Sequence, residues 1–247
     1  MIEFLIIVVA LVIGSFLNVV IWRLPQELSL IFPPSHCPHC QHRLGARDLI
    51  PIFSYLLLRG YCRFCRGKIS VRYPLIEALT AAAFLLVYRQ YGFSMVTLAG
   101  WLLGSILIIC AFIDIDHGII PDRVTYPALG LGLVLSWWTV SWQSALFGAA
   151  LFSGILILAA VLSRGGMGGG DIKLAAVVGI FAGLPGAVVG LFIASITGGL
   201  WASILLLIKR AGRKSVIRFG PFLALGGWLG MVYGTRFINW YFGLLAR

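Results

Sequence analysis

Charge is scarce in this chain. Of its 247 residues only 11% are charged, and eight acids stand against 19 lysines and arginines. A soluble domain carries about 25% charged and about 45–50% apolar residues. Here 60% are apolar and the mean hydropathy is +1.01. These shortages exclude a disordered chain and a soluble enzyme. Cysteine is sparse too: five are too few for a disulfide framework. No repeat of solenoid period is visible, and there is neither a glycine-rich nucleotide fingerprint nor a phosphate-cradling motif. No basic stretch precedes the first apolar run, whose one early charge is Glu3. That run is therefore expected to be a retained span rather than a cleaved signal peptide.

What is present is apolar sequence in long runs. A membrane-crossing helix needs about 20 such residues. Candidate runs are Phe4–Trp22, Pro74–Tyr88, Met95–Ile113, Val124–Val140, Ala145–Leu162, Ile172–Ile208 and Phe219–Tyr233. The sixth is too long for one span and is punctuated by Gly183-Leu184-Pro185-Gly186, so it reads as two helices joined by a tight turn. The expectation is an all-α polytopic membrane protein of about eight transmembrane helices. Its thirty glycines suit helices packed through small residues.

The net charge of +11 is unevenly distributed. Eight basic residues, from Arg23 to Arg72, border or occupy the first long loop. Arg123, Arg164, Lys173, Lys209, Arg210, Arg213, Lys214 and Arg218 fall on the same side, leaving Arg89, Arg236 and Arg247 opposite. By the positive-inside rule the loop is cytoplasmic and both termini are outside. The basic excess is thus a topology signal and a contact for anionic lipid, with no nucleic-acid partner implied.

The loop, residues 24–73, holds Cys37-Pro-His-Cys40 and Cys62-Arg-Phe-Cys65. Two C-x2-C pairs 21 residues apart match a tetrahedral zinc site. A reducing cytosol disfavours disulfides, and a loop this small has little core without a metal staple. Four cysteines leave no open position, so the Zn²⁺ would be structural. His36, His39 and His42 lie near enough in sequence to replace a ligand, although surface positions are commoner for such residues. Cys110, alone in the third span, reads as a packing residue.

Four of the eight acids cluster in two motifs. Asp114, Asp116 and Asp122 lie in Ile113–Asp122, at the cytoplasmic end of span three. Asp171 lies in Gly168-Gly169-Gly170-Asp171-Ile172-Lys173, at the cytoplasmic start of span six. Carboxylates at a membrane boundary are costly unless used or paired. Two that meet would share one proton, giving a general base and a general acid. Asp122 after Pro121 is expected to cap a helix, and Asp116 is either a surface acid or a partner of the site. Asp114 alone would pass as an interfacial residue, and Asp171 alone as a helix cap with Lys173 as counterion. Glu77 is expected to snorkel or to pair with Arg72, and Asn18 to bridge helices.

These residues together resemble the type IV prepilin peptidase family of bacterial membrane aspartic proteases. The matching stretches, in family order, are Gly14-Ser15-Phe16-Leu17-Asn18-Val19-Val20 with Arg23-Leu24-Pro25, both cysteine pairs, Arg72-Tyr73-Pro74-Leu75 with Glu77, Asp114–Asp122, Gly168-x-Gly170-Asp171-x-Lys173, and Arg218-Phe219-Gly220-Pro221-Phe222. The resemblance implies a GxGD-type intramembrane protease of the bacterial inner membrane, its active site facing the cytoplasm. Asp114 and Asp171 would be catalytic, with Asp116, Gly168, Gly170 and Lys173 in support. Its substrates would be prepilins or type II secretion pseudopilins. Many relatives also N-methylate the new amino terminus with S-adenosylmethionine, although no pocket for that donor is legible here. The resemblance divides the chain into residues 1–92, a methyltransferase part with the zinc loop, and 93–247, a six-span protease. The rival readings are a membrane transferase whose aspartates hold Mg²⁺ and an ion-coupled transporter with buried aspartates.

Overall fold

The computed structural model describes residues 1–163, 166–208 and 218–245. Arg164, Lys209, Arg210, Arg213, Lys214 and Arg247 of the basic pattern lie outside them. Each apolar run read from the sequence holds a helix, although in Val124–Val140 the helix ends at Ser136 and a turn follows. The chain forms two compact units, residues 1–89 and 90–247.

The first unit is built on α1 (Ile2–Arg23) and α3 (Arg72–Tyr91), with the short α2 (Phe53–Leu57) in the intervening loop. The two long helices run antiparallel. At one end Arg89 grips both oxygens of Glu3, at 3.0 and 2.8 Å. Midway, a Cβ on Gly14 would lie 2.8 Å from the Glu77 Cα, so only glycine lets the backbones approach there. Further along, the Asn18 amide donates to the carbonyls of Gly14 and Tyr73, each at 3.2 Å. Asn18 is thus the interhelical bridge expected of it.

The second unit contains α4 (Met95–His117), α5 (Asp122–Ser136), α6 (Trp142–Leu162), α7 (Gly169–Leu207) and α8 (Gly220–Leu245). Ser94 caps α4 by accepting from the Thr97 N–H, and Gly118, at φ 67°, ends it. Among the described residues α1, α4, α6 and α7 are long and apolar enough to cross a membrane. Buried Leu103, Phe152, Leu174, Phe181 and Leu223 fill the core. Phe147, Val161, Phe192 and Leu200 face outward, as lipid contact requires.

At about 1.5 Å per residue the 39 residues of α7 would reach about 58 Å if straight, nearly twice a bilayer core of about 30 Å. The helix is broken at Gly183, at φ 65° and ψ −177°. Contacts on either side show a reversal. Val178 lies against Gly227 of α8, while Gly186, Gly190 and Gly198 lie against Gly230, Gly226 and Phe219 in the opposite sense. Limbs 169–182 and 184–207 therefore form the predicted hairpin. Its bend is pinned where Ser144 of α6 accepts from the Leu184 N–H at 3.0 Å. The second limb meets α8 glycine to glycine, a Cβ on Gly190 lying 3.0 Å from the Gly226 oxygen. Small residues thus let these helices approach closely.

Candidate active site and cysteine tetrad

The local chemistry of the acids follows from helix ends. Asp114 sits in the last turn of α4 and is 6% exposed. Its Oδ2 accepts the Gly220 N–H, the first of α8, at 3.0 Å. A helix amino terminus supports negative charge at that point. The guanidinium of Arg218 adds a positive charge felt by Asp114.

Asp171 is in the first turn of α7, and its N–H donates to the Gly168 carbonyl at 3.1 Å. Asp171, 57 positions from Asp114 in sequence, lies within reach of the charge of Asp114. Oδ1 of Asp171 is buried and has no hydrogen-bond partner among the described residues. Native structures leave few such atoms, and those few call for a functional account.

The supporting residues divide. A Cβ on Gly170 would lie 2.9 Å from the Ile120 Cβ, so glycine there lets α7 close on the loop after α4. Gly168 stands next to Oδ2 of Asp171. Asp116 is exposed. Lys173 pairs not with Asp171 but with Asp122, at 2.6 and 2.8 Å, and lies over the Tyr126 ring at 5.0 Å. That corrects the reading of Asp122 as a cap. Pro121 is the N-cap residue of α5, and the Asp122 carboxylate is spent on the lysine. Asp171 is likewise no cap, since Gly168 holds that position in α7. Gly220 and Ile120 were missed as site residues. The sequence signal for Gly220 was its place in Arg218–Phe222.

In the first unit the Sγ atoms of Cys37, Cys40, Cys62 and Cys65 all lie within 4.8 Å of one another. The Cys37–Cys65 separation is 3.8 Å. A tetrahedron with metal–sulfur bonds near 2.3 Å has edges of about 3.8 Å, so the donor set fits a metal ion. The two knuckles repeat one design. Cys37 N–H donates to His42 O and Cys62 N–H to Gly67 O; Gln41 and Arg66, each four residues after the first cysteine, both have φ 59°. Each knuckle packs on the other reciprocally. The His39 ring lies against Gly67, and the Phe64 ring lies tilted by 35° against His42, with centroids 3.6 Å apart. The histidines therefore frame the sulfurs instead of replacing them. Backbone N–H groups of Cys65 and Phe64 hold the Cys62 thiol well below the usual thiol range. Cys110 is fully buried in the helical core, as a packing residue should be.

Glu77 neither snorkels nor faces solvent. It is 6% exposed and accepts the Ile52 N–H at 2.7 Å. The reason is the close approach of α1 and α3 at Gly14, which turns the carboxylate inward.

These features define a polytopic helical membrane protein with two aspartates at helix ends in one unit and a cysteine tetrad in the other. The chain belongs to the type IV leader peptidase family. The model of that family matches residues 101–203, and that of the bacterial peptidase A24 N-terminal domain matches 8–91. A prepilin leader peptidase/N-methyltransferase of Neisseria gonorrhoeae is 39% identical, over 95% of this chain and 92% of its own. The protein of the same name from Pseudomonas aeruginosa is 33% identical, over 95% and 91%. A type 4 prepilin-like proteins leader peptide-processing enzyme of Escherichia coli is 40% identical over 88% of each chain. No solved structure matches.

Proposed function

We propose that the protein is a membrane-embedded aspartic endopeptidase that removes the basic leader of type IV prepilins or type II secretion pseudopilins. The observation that carries this reading is a buried, unpartnered oxygen on Asp171, within reach of the charge of Asp114. Two neighbouring carboxyl groups share a proton, since both cannot ionise readily. The ionised member takes a proton from water as the water oxygen attacks the scissile carbonyl carbon. The protonated member supports the carbonyl oxygen. Collapse of the tetrahedral intermediate breaks the C–N bond, and the leaving nitrogen takes a proton from the dyad. Asp114, fixed by the Gly220 N–H, serves as the base in the first step. Gly168 leaves backbone open beside Asp171 for an extended substrate, Gly170 lets α7 close on Ile120, and Lys173 with Asp122 holds α7 against α5.

The distribution of basic residues supports an active site at the cytoplasmic face of the bacterial inner membrane. There a prepilin's apolar helix lies in lipid and its leader in water. The cysteine tetrad binds structural Zn²⁺, and residues 1–92 methylate the new amino terminus with S-adenosylmethionine, while 93–247 carry proteolysis. Among the described residues no three carboxylates gather as the cysteines do, which weighs against a Mg²⁺ transferase. The test is to incubate purified protein with a prepilin and measure product mass. Asp114→Asn and Asp171→Asn are each expected to lower cleavage by about 10²–10⁴-fold while the protein still inserts and binds prepilin. Substantial cleavage by either variant overturns the assignment.

A further inference from the structure

The first unit encloses a cavity of about 370 Å³ that no step of proteolysis uses. It lies between α1, α3, α2 and the cysteine knuckles, and its volume is in the range of small-molecule sites. We propose that this cavity binds the methyl donor, S-adenosylmethionine. The proposal rests on the methyltransferase reading above and supplies the site that reading lacks.

The wall chemistry suits the three parts of that molecule. Trp22, Tyr55 and Tyr73 offer aromatic faces for an adenine ring. Asp48 has a side chain only 10% exposed, with Oδ1 accepting from Arg63 Nε at 2.8 Å and Oδ2 from the Gly45 N–H at 3.2 Å. Each carboxylate oxygen keeps a further lone pair, enough to accept from a ribose diol. The third part is cationic, and Glu77 is the buried acid of the cavity wall. Its carboxylate accepts from Ile52, whose N–H is held in an unusual place. Ile52 has φ 61° and ψ −50°, at the centre of a three-residue turn closed by the Phe53 N–H on the Pro51 carbonyl at 2.6 Å. A β-branched residue in the left-handed region is strained, and such strain collects at ligand sites.

In the transfer, the unprotonated amine of the cleaved substrate attacks the methyl carbon and a C–N bond forms. The C–S electrons remain on sulfur, giving the neutral thioether S-adenosylhomocysteine, and the methylated ammonium then loses one proton to water. Glu77 supports positive charge as it passes from sulfur to nitrogen. Buried Cys37 and Cys62 line the same cavity, so the metal staple shapes the donor site as well as the loop.

The bland alternative is that Glu77 merely pins the Ile52 turn. Glu77→Gln separates the two, because the amide keeps an acceptor oxygen for the Ile52 N–H and removes only the charge. Intact protein in nanodiscs is titrated calorimetrically with S-adenosylmethionine, and unmodified protein is photolabelled with 8-azido-S-adenosylmethionine and mapped by peptide mass. The expected results are label within residues 15–77 and a Kd raised about tenfold or more by Glu77→Gln, the loss of one charge-assisted contact. Metal content and prepilin cleavage should not change. Label confined to residues 90–247, or an unchanged Kd in the variant, overturns the cavity while methylation stands. If the unmodified protein neither binds the donor nor methylates pre-cleaved substrate, the methyltransferase reading falls and takes the cavity with it.

Discussion

At the scale of single residues, the candidate site is governed by what stands beside each carboxylate. Asp114 is fixed by a backbone donor 106 positions away, and a Cβ on Gly220 would lie 2.7 Å from its Oδ2. Gly220→Ala should therefore displace the carboxylate without unfolding α8. A displacement approaching 1 Å lowers turnover by about 10²-fold. The measurement is kcat against KM for a prepilin peptide: a rise confined to KM would mean that Gly220 shapes binding instead. The acids were legible as a pair because they are scarce and fall at two span ends on one side. Their partners were not. Lys173 looks like the counterion of Asp171, two residues away, yet three-dimensional packing assigns it to Asp122, 51 positions away. The bond from Ile52 to Glu77 was hidden for a similar reason, since nothing local announces that Ile52 will present its N–H there.

At the scale of elements, the sequence was more informative, because a break or a cap is a local property. Gly183-Leu184-Pro185-Gly186 announced the α7 hairpin, and glycine is needed at the bend because φ is 65° there. Gly183→Ala should destabilise the protein by at least about 1–2 kcal/mol, the cost of a Cβ in that region, and more if Ser144 must move, being 2.7 Å from the added atom. Gly154→Ala in α6 is the control, since an added Cβ meets nothing within 4 Å and the change should be neutral or mildly stabilising. Thermal unfolding in detergent distinguishes them; equal shifts would show that backbone conformation at Gly183 does not matter. The knuckles are the other local element. Metal analysis should find about one zinc per chain, lost when either cysteine pair becomes serine. Zinc retained by the quadruple variant refutes the site. C-x2-C spacing revealed the ligands but not the reciprocal packing of His39 on Gly67 and Phe64 on His42, which needs both knuckles in place.

At the scale of the whole molecule, the proposed division of labour follows the two compact units. Asp114 and Asp171 lie wholly in the second and the cysteine tetrad wholly in the first. Serine variants of the cysteines should lower stability and impair methylation before they affect cleavage. Asp171→Asn should still methylate a substrate supplied already cleaved. Assaying both activities on intact and pre-cleaved prepilin checks this. Folded cysteine variants that have lost cleavage entirely would show that the division is wrong.

The doubled knuckle also has a consequence in time. Cys37 and Cys40 leave the ribosome 25 residues ahead of Cys62 and Cys65. At about 5–20 residues per second that is a delay of about 1–5 s. During it the nascent loop exposes half a tetrahedron. Two sulfurs hold a metal far less firmly than four, so the first knuckle waits as an open, oxidisable dithiol. The second knuckle closes the site and, through Phe64 on His42, covers its partner. With zinc bound as proposed, metal supply during synthesis, and not only after it, would set how many chains mature.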